Sequence, residues 1–360
     1  MIGNILIDAI RINMPDSFLL QEGLQNFIRD TLSRHFSNGA FHISFSRNEL
    51  KITLTPTRFI PIPADYNFTD VNLEMPSEDW LFNLLSELGC YKSENRRFIE
   101  ACRIVKLHLT KNLITTKPVY NYIDVLANRT YKRMKANIIE SNETNRTLSI
   151  ATPKRDRKVK NTKGDRQFIL YDKSQQLKDK AGFTYVVLKT PLSKEEKQLV
   201  AGKHYNEGNG YLKISELNIA RFELQYATSS KLKKLSNFIT GNKNDTELNL
   251  STLLVLLQER RLFSTLEQFY TNELKEYIFF NAPQVETKPA TRWNGIFQEL
   301  ISKADIKSMI ALYTECTTDS INKKGNFITA VKEAQKVSSN ELYAELYQKL
   351  GIAETPAIAA

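Results

Sequence analysis

Short alternating stretches dominate the first two thirds of the chain, whereas the last third has the periodicity of helices. β-Branched, small or apolar residues recur in 1–12, and apolar residues alternate with polar ones in 41–45 and 50–54. Period-two alternation predicts strands with one buried face, and the short polar connector between the last two stretches predicts a hairpin. The same reasoning predicts further strands at 98–110, 148–152, 167–173 and 219–226.

Helical patterns lie between these strands in the first two thirds of the chain and make up most of the last third. A helix is predicted from Asp16 to about Phe36, because apolar residues follow at helical spacing after a capping Asp-Ser pair. Further helices are predicted at 77–88, 117–138, from 229 onward, and at 249–261, 264–279, 294–303, 305–313, 325–336 and 339–349. The polar stretch 241–245 is a linker candidate. The sequence therefore predicts an α+β part, 1–238, followed by an all-helical part, 245–355.

Three of the predicted strands carry polar residues on one face and apolar residues on the other. Alternate side chains of a strand share a face, so each strand groups its polar residues. The grouped residues are Lys106, His108 and Thr110; Tyr171 and Lys173; and Arg221, Glu223 and Gln225. If these strands are neighbours, one sheet face gathers an imidazole, a carboxylate, a phenol and basic groups, while the other face can pack against helices.

That set of groups suits phosphoryl transfer on DNA. Glu223 and His108 offer a carboxylate and an imidazole to Mg²⁺ or Mn²⁺, which neutralises charge on a reacting phosphate. The phenol of Tyr171 can attack the phosphate and retain the cleaved end as a covalent phosphotyrosine. Lys173 and Arg221 supply positive charge that stabilises the phenolate or the phosphate. The same alternation also occurs in half-exposed strands that have no active site, so the pattern alone leaves the chemistry open.

The charge of the chain favours an anionic partner. The formal net charge is +10, and nucleic acid is the commonest partner of such proteins. A basic loop directly precedes the strand of Tyr171. Its cationic residues are Lys154, Arg155, Arg157, Lys158, Lys160, Lys163 and Arg166. Such a loop can position a DNA strand through phosphate contacts without reading its sequence, and a solvated loop is the alternative interpretation.

Cysteine use and hydropathy argue against other classes of protein. Cys90, Cys102 and Cys316 are scattered and odd in number. They indicate neither a disulfide framework nor a zinc site, and they fit small buried residues in a reducing cytoplasm. No apolar run approaches the roughly 20 residues of a membrane span. The N-terminal residues also lack the pattern of a secretory signal. A cytoplasmic protein without a membrane partner is therefore expected.

Three segments, in this order, resemble the replication initiators of the filamentous-phage gene II/X type, which act in rolling-circle replication and also occur on plasmids. The segments are Lys-Leu-His-Leu-Thr at 106–110, Ile-Leu-Tyr-Asp-Lys at 169–173 and Arg-Phe-Glu at 221–223. The similarity covers roughly residues 95–240, with weaker support from 1–95. His108 departs from the family pattern, in which an acid often stands at this position. The sequence also has no His-hydrophobic-His pair of the kind found in many rolling-circle nucleases.

The resemblance implies an antiparallel-sheet nuclease domain that acts as a metal-dependent DNA strand transferase. Tyr171 matches the family's DNA-linked tyrosine, and Glu223 matches the carboxylate of its Arg-Phe-Glu segment. The implied activity is nicking and rejoining of one strand at an origin, through a covalent 5′-phosphotyrosine and with Mg²⁺ or Mn²⁺ as cofactor. Origin DNA, single-stranded or folded as a hairpin at the nick, is the expected partner. The helical part either reads DNA or recruits a host helicase or polymerase.

Two other functions stay open at the level of sequence. A non-catalytic initiator or regulator would keep the fold and bind a specific DNA sequence without the chemistry. An RNA-binding protein would use the same basic surface. The sequence also does not name a third metal ligand beside Glu223 and His108.

Overall fold

An antiparallel sheet is the main feature of the described residues in the computed structural model. The structure describes residues 4–15, 22–37, 39–46, 49–59, 75–129, 131, 134–140, 146–151, 166–181, 185–187, 205–206, 211–213, 217–226, 229–245, 247–279 and 341–352. Within these residues the sheet has nine strands. They are β1 (Leu6–Pro15), β2 (Phe41–Ser46), β3 (Glu49–Leu54), β4 (Arg103–Ile114), β5 (Lys135–Glu140), β6 (Arg146–Ala151), β7 (Arg166–Asp172), β11 (Ile219–Tyr226) and β12 (Leu248–Asn249).

The strand order brings the three chemically interesting strands together. The sheet runs β2-β3-β1-β4-β11-β7-β6-β5, and β12 pairs with β4 beside this path. Strands β4, β11 and β7 are therefore consecutive neighbours, although they lie far apart in the chain. A small second sheet has the order β8-β10-β9. Its strands are β8 (Tyr185–Val187), β9 (Tyr205–Asn206) and β10 (Tyr211–Lys213). The predicted α+β fold with an antiparallel sheet is confirmed at this level.

Helices begin and end where local chemistry favours it. The described helices of this part are α1 (Glu22–His35), α2 (Glu78–Glu87), α3 (Arg96–Ala101), α4 (Val119–Ala127), α5 (Lys173–Ala181), α6 (Ser229–Thr240), α7 (Leu250–Gln258) and α8 (Leu262–Tyr277). Ser77 illustrates a cap, because its hydroxyl accepts a hydrogen bond from the backbone N–H of Trp80 at 3.2 Å. The start of α2 follows this capping serine, and α6 begins at Ser229, where the sequence predicts a helix.

One face of the sheet is apolar and carries helices. Leu109 of β4, Leu224 of β11 and Phe168 of β7 stand opposite one another in register, and all three are fully buried. Helix α4 packs against β6 and β7. Helix α8 lies on the same face, where the Tyr270 hydroxyl donates to the Phe222 carbonyl at 2.8 Å. The polar residues of these strands therefore lie on the opposite face.

Two predicted elements differ from the structure. The helix predicted at 117–138 ends at Ala127, and residues Lys135–Glu140 form β5, which pairs with β6. The Asn128 amide donates to the Asp124 carbonyl at 2.9 Å and terminates the helix. The strand predicted at 98–110 is preceded by α3, begins at Arg103 and runs on to Ile114. The prediction was wrong there because short apolar runs fit both periodicities.

The chain divides into two compact units, 1–278 and 279–360. This differs from the predicted boundary at 238–245, because α7 and α8 belong to the unit that contains the sheet. Buried Lys111 of β4 forms an ion pair with Glu267 of α8 at 2.6 Å, which ties that helix to a central strand. In the second unit the described residues 341–349 are helical, and Phe279 packs on Tyr343 with ring centroids 4.9 Å apart.

The place of α8 on the sheet gives a stability prediction. Leu266→Ala is expected to lower the free energy of unfolding of the sheet unit by about 2–5 kcal/mol, because Leu266 is fully buried and its truncation leaves a cavity. Urea denaturation of a Trp293→Phe background, followed by the fluorescence of Trp80, measures this directly. Val255→Ala in α7 is the control, since that side chain is 52% exposed and its loss should matter little. An unchanged Trp80 transition in Leu266→Ala would contradict this packing.

Cys102 is buried, as the sequence predicts, whereas Cys90 is partly exposed and Cys316 lies outside the described residues. Burial raises the pKa of Cys90 to about 11 and, together with the charge of Cys90, that of Cys102 to about 12. Thiolate is the reactive form, so at pH 8 only about one molecule in 1,000 or fewer is reactive at these positions. When native protein is labelled with a thiol reagent, Cys102→Ala and wild type should show the same fast phase. When the proteins are unfolded, Cys102→Ala should show one reactive thiol fewer than wild type. A fast native phase that disappears in Cys102→Ala would refute the burial.

Within the described residues, no helix combines the length and apolar character needed to cross a membrane.

Candidate functional site

The polar face of the sheet centres on β11, with β4 and β7 on either side. The register places Asn112, Thr110 and His108 of β4 opposite Arg221, Glu223 and Gln225 of β11. On the other side, Tyr171 of β7 stands opposite Arg221. Directly opposed residues of an antiparallel pair share a face. The structure therefore brings His108, Glu223 and Tyr171 to one side of the sheet.

Glu223 is the centre of this polar group. The Tyr171 hydroxyl donates a hydrogen bond to Glu223 Oε1 at 2.7 Å. Gln225 Nε2 donates to Glu223 Oε2, also at 2.7 Å. Each carboxylate oxygen thus has one donor and keeps a lone pair for another partner. Because Glu223 is only 4% exposed, these two bonds fix its orientation.

A second acidic residue, Asp8, completes the group. Asp8 of β1, His108 and Glu223 each offer a ligand atom, and these atoms all lie within 4.8 Å of one another. A β-bulge makes this possible, because Ile7 stands opposite Leu109 and Ala9 opposite His108. Asp8 is the extra residue between them, and a bulge redirects a side chain that regular alternation would place elsewhere.

Sequence reasoning missed Asp8. The first strand is rich in isoleucine, and Asp8 is the acidic residue among the apolar positions of that strand. An acid inside an otherwise apolar strand is a usable signal, since such a group costs free energy unless it has a partner or a function. Its place beside His108 could not be predicted, because the bulge changes the register by one residue.

The donor set fits a divalent cation. Ligand bonds to Mg²⁺ or Mn²⁺ are about 2.1 Å long, so two donors on one ion lie about 3 to 4.2 Å apart. The donor atoms lie within 4.8 Å of one another, close to this range, and would have to move closer together to bind one ion. Two carboxylates suit hard cations such as Mg²⁺ and Mn²⁺, and an imidazole is also accepted by Mn²⁺. The arrangement could hold such an ion and leave positions open for substrate oxygens.

Burial and charge shift the acid–base chemistry of the site. Burial raises the pKa of Glu223, and the Asp8 carboxylate adds to the rise, while the Arg221 guanidinium acts in the opposite direction. Burial also holds the pKa of the Tyr171 phenol well above its usual value, with Arg221 opposing it and the Glu223 and Asp8 carboxylates adding to it. The phenol is therefore protonated at neutral pH, and an additional positive charge beside it would be needed to favour phenolate.

The other predicted catalytic residues have different places. Strand β7 ends at Asp172 and Lys173 begins α5, so the period-two argument that placed Lys173 on the face of Tyr171 does not reach it. Lys173 is buried, and its Nζ donates to Gln176 Oε1 at 2.9 Å. Arg221 is on the polar face and is 2% exposed. It donates to Asp8 Oδ1 at 2.9 Å and to Asn112 Oδ1 at 2.8 Å.

The predicted DNA-binding loop lies almost entirely outside the described residues. Arg166 is the first residue of β7, and the other basic residues of the predicted loop lie outside the described residues. The undescribed members are Lys154, Arg155, Arg157, Lys158, Lys160 and Lys163. Their role stays a prediction from sequence.

No protein-family model matches the chain, and no curated protein matches it at a significant level.

Proposed function

We propose that this protein is a replication initiator that nicks and rejoins one DNA strand through Tyr171. The observation that carries the proposal is the hydrogen bond of 2.7 Å between the Tyr171 hydroxyl and Glu223, within a group that also contains His108 and Asp8. A nucleophile that can retain a DNA end thus lies beside a candidate site for the divalent cation that phosphoryl transfer uses. The order of the three motif segments, which resembles gene II/X-type initiators, supports the same proposal.

The proposed reaction assigns a separate role to the metal ligands, to Tyr171 and to Glu223. A bound Mg²⁺ or Mn²⁺, held by Asp8, His108 and Glu223, would supply the positive charge that stabilises the transition state at phosphorus. Tyr171 loses its proton, and Glu223 Oε1, which accepts its hydrogen bond, is placed to receive it. The phenolate oxygen attacks the phosphorus, the bond from phosphorus to the 3′ oxygen breaks, and that oxygen takes a proton from solvent. The products are a 5′-phosphotyrosine and a free 3′-OH, and the reverse reaction rejoins the strand.

DNA is the substrate that the charge of the chain favours. The net charge is +10, and the predicted basic loop 153–166 leads into β7, which begins at Arg166 and carries Tyr171. Phosphate contacts from this loop would hold a single strand near the phenol, and such contacts weaken steeply with salt. Site selection would then depend on single-stranded or hairpin DNA at the origin, with the second unit, 279–360, reading DNA or recruiting host replication proteins.

A polarity test on DNA examines this proposal. Single-stranded DNA of random sequence, labelled at either the 3′ or the 5′ end, is incubated with the protein and Mn²⁺ and analysed on a denaturing gel. Attack by Tyr171 predicts that the 3′-labelled fragment becomes attached to protein, while the 5′-labelled fragment is released with a free 3′-OH. EDTA should abolish both products.

The alternative of a non-catalytic initiator predicts a different result from the same experiment. The protein would then retain DNA on a native gel, in a salt-dependent manner, but would form no attached species under denaturing conditions with Mg²⁺ or Mn²⁺. Attachment of the 5′-labelled fragment instead would indicate the opposite cleavage polarity and contradict the proposed step.

A further inference from the structure

We infer that Arg221 is a positioning residue that acts through Asp8, and that Asn112 fixes Arg221 for this task. The inference rests on the proposed function, since it concerns the orientation of a ligand in the proposed metal site. It assigns to Arg221 a role that differs from direct contact with the reacting phosphate.

The geometry of Arg221 points to this role. Its side chain is 2% exposed and extends from β11 to partners on β4 and β1, the two strands that supply His108 and Asp8. Nη1 donates to Asp8 Oδ1 at 2.9 Å, and Nε donates to Asn112 Oδ1 at 2.8 Å. A guanidinium is planar, so two bonds made from different nitrogens fix its orientation. The bond to Asn112 therefore determines where the other end of the guanidinium meets Asp8.

Asp8 needs such a partner more than Glu223 does. It is the extra residue of a β-bulge, where regular pairing is interrupted, and its side chain is 22% exposed. Glu223 lies on a regular strand and is held by Tyr171 and Gln225. The Arg221 bond to Oδ1 leaves the second carboxylate oxygen of Asp8 for a cation. Partners of this kind orient metal ligands, and their removal typically lowers metal affinity by about 10- to 100-fold.

If Arg221 acted only through its charge, Coulomb's law would predict the opposite change in metal affinity when Arg221 is replaced. Arg221 is a cation close to a proposed cation site, so removal of its charge should strengthen metal binding if electrostatic repulsion dominates. If Arg221 positions Asp8, removal should weaken metal binding. The direction of the change therefore separates the two roles.

Mn²⁺ affinity, measured by electron paramagnetic resonance of the free ion or by calorimetry, tests the inference without any DNA. Arg221→Met, Arg221→Lys and Asn112→Leu should each weaken Mn²⁺ binding by about 10- to 100-fold. Arg221→Lys should fail to rescue, because one ammonium group cannot reproduce two bonds at a fixed angle. Gln167→Leu is the control. It removes another buried hydrogen bond of the same sheet face, from Gln167 to Ser149 at 2.6 Å, and should leave Mn²⁺ affinity unchanged.

A double-mutant cycle with Asp8→Asn shows whether Arg221 acts through Asp8. In the Asp8→Asn background, Arg221→Met should weaken Mn²⁺ binding by less than about twofold, since the ligand that it orients is already lost. An undiminished effect there, or tighter Mn²⁺ binding by Arg221→Met alone, overturns the inference. Melting curves in EDTA identify variants that fail to fold, and Asn112→Leu, which keeps the charge of Arg221, then carries the test. Wild-type Mn²⁺ affinity in Asp8→Asn would instead refute the proposed metal site itself.

Discussion

Tyr171→Phe is expected to abolish covalent attachment of DNA to the protein, with a loss of at least about 10³-fold in the rate of adduct formation. The substitution removes one oxygen atom, which is the proposed nucleophile. It leaves the ring and therefore the packing of β7 in place. The carboxylate of Glu223 loses one hydrogen-bond donor but keeps the one from Gln225. Salt-dependent DNA retention should stay near wild type, whereas Mn²⁺ affinity should fall by up to about 10-fold, because Glu223 loses one of the two donors that orient it.

The measurement is a time course of protein–DNA adduct on denaturing gels, with 3′-labelled single-stranded DNA and Mn²⁺. Tyr120→Phe is the matched control, because Tyr120 lies on α4 and its side chain is 45% exposed. That variant should form adduct at the wild-type rate. Adduct formation by Tyr171→Phe at a comparable rate would assign the nucleophile to another residue and overturn the proposed role of Tyr171.

Glu223→Gln should produce the second large effect, a loss of Mn²⁺ binding of about 100-fold or more together with loss of adduct formation. The amide has nearly the same shape as the carboxylate, so the strand should keep its packing. The change removes the negative charge that a cation needs, and it removes the group placed to accept the Tyr171 proton. Both effects act in the same direction on the rate.

A second buried Tyr–Glu pair of the protein provides the control for this prediction. The Tyr226 hydroxyl donates to Glu273 on the apolar face of the sheet, and Lys234 forms an ion pair with the same carboxylate. Among the described residues, Glu273 belongs to no group of metal-ligand spacing. Glu273→Gln should therefore lower stability while leaving Mn²⁺ affinity within about twofold of wild type. Equal Mn²⁺ affinities in Glu223→Gln and wild type would contradict the proposed site.

The strands that position the site could be predicted because their patterns are regular. Alternation over 219–226 identified β11, whose observed bounds are Ile219–Tyr226. The same alternation placed His108 and Glu223 on the polar faces of their strands, and the register of β4 and β11 puts these faces together. Period-two alternation shows which residues of a strand share a face, and opposed residues of paired strands then lie on the same face of the sheet.

The parts of the site that were missed depend on irregular structure. Asp8 enters through a bulge, which shifts the register by one residue and leaves no periodic trace in the sequence. Lys173 was assigned to the face of Tyr171 because the strand was extended by one residue beyond its end at Asp172. The hydrogen bonds of Arg221 to Asp8 and Asn112 join three strands that are distant in the chain. Pairings of that kind are determined by topology and not by local pattern.

Mass-spectrometric mapping of the protein–DNA adduct tests the central claim most directly. The adduct formed with Mn²⁺ is isolated under denaturing conditions, digested with nuclease and protease, and the nucleotide-bearing peptide is sequenced. The proposed mechanism predicts a 5′-phosphodiester on Tyr171, within the peptide that spans β7. A modified residue other than Tyr171, or the complete absence of an adduct from protein that binds both Mn²⁺ and DNA, would contradict it.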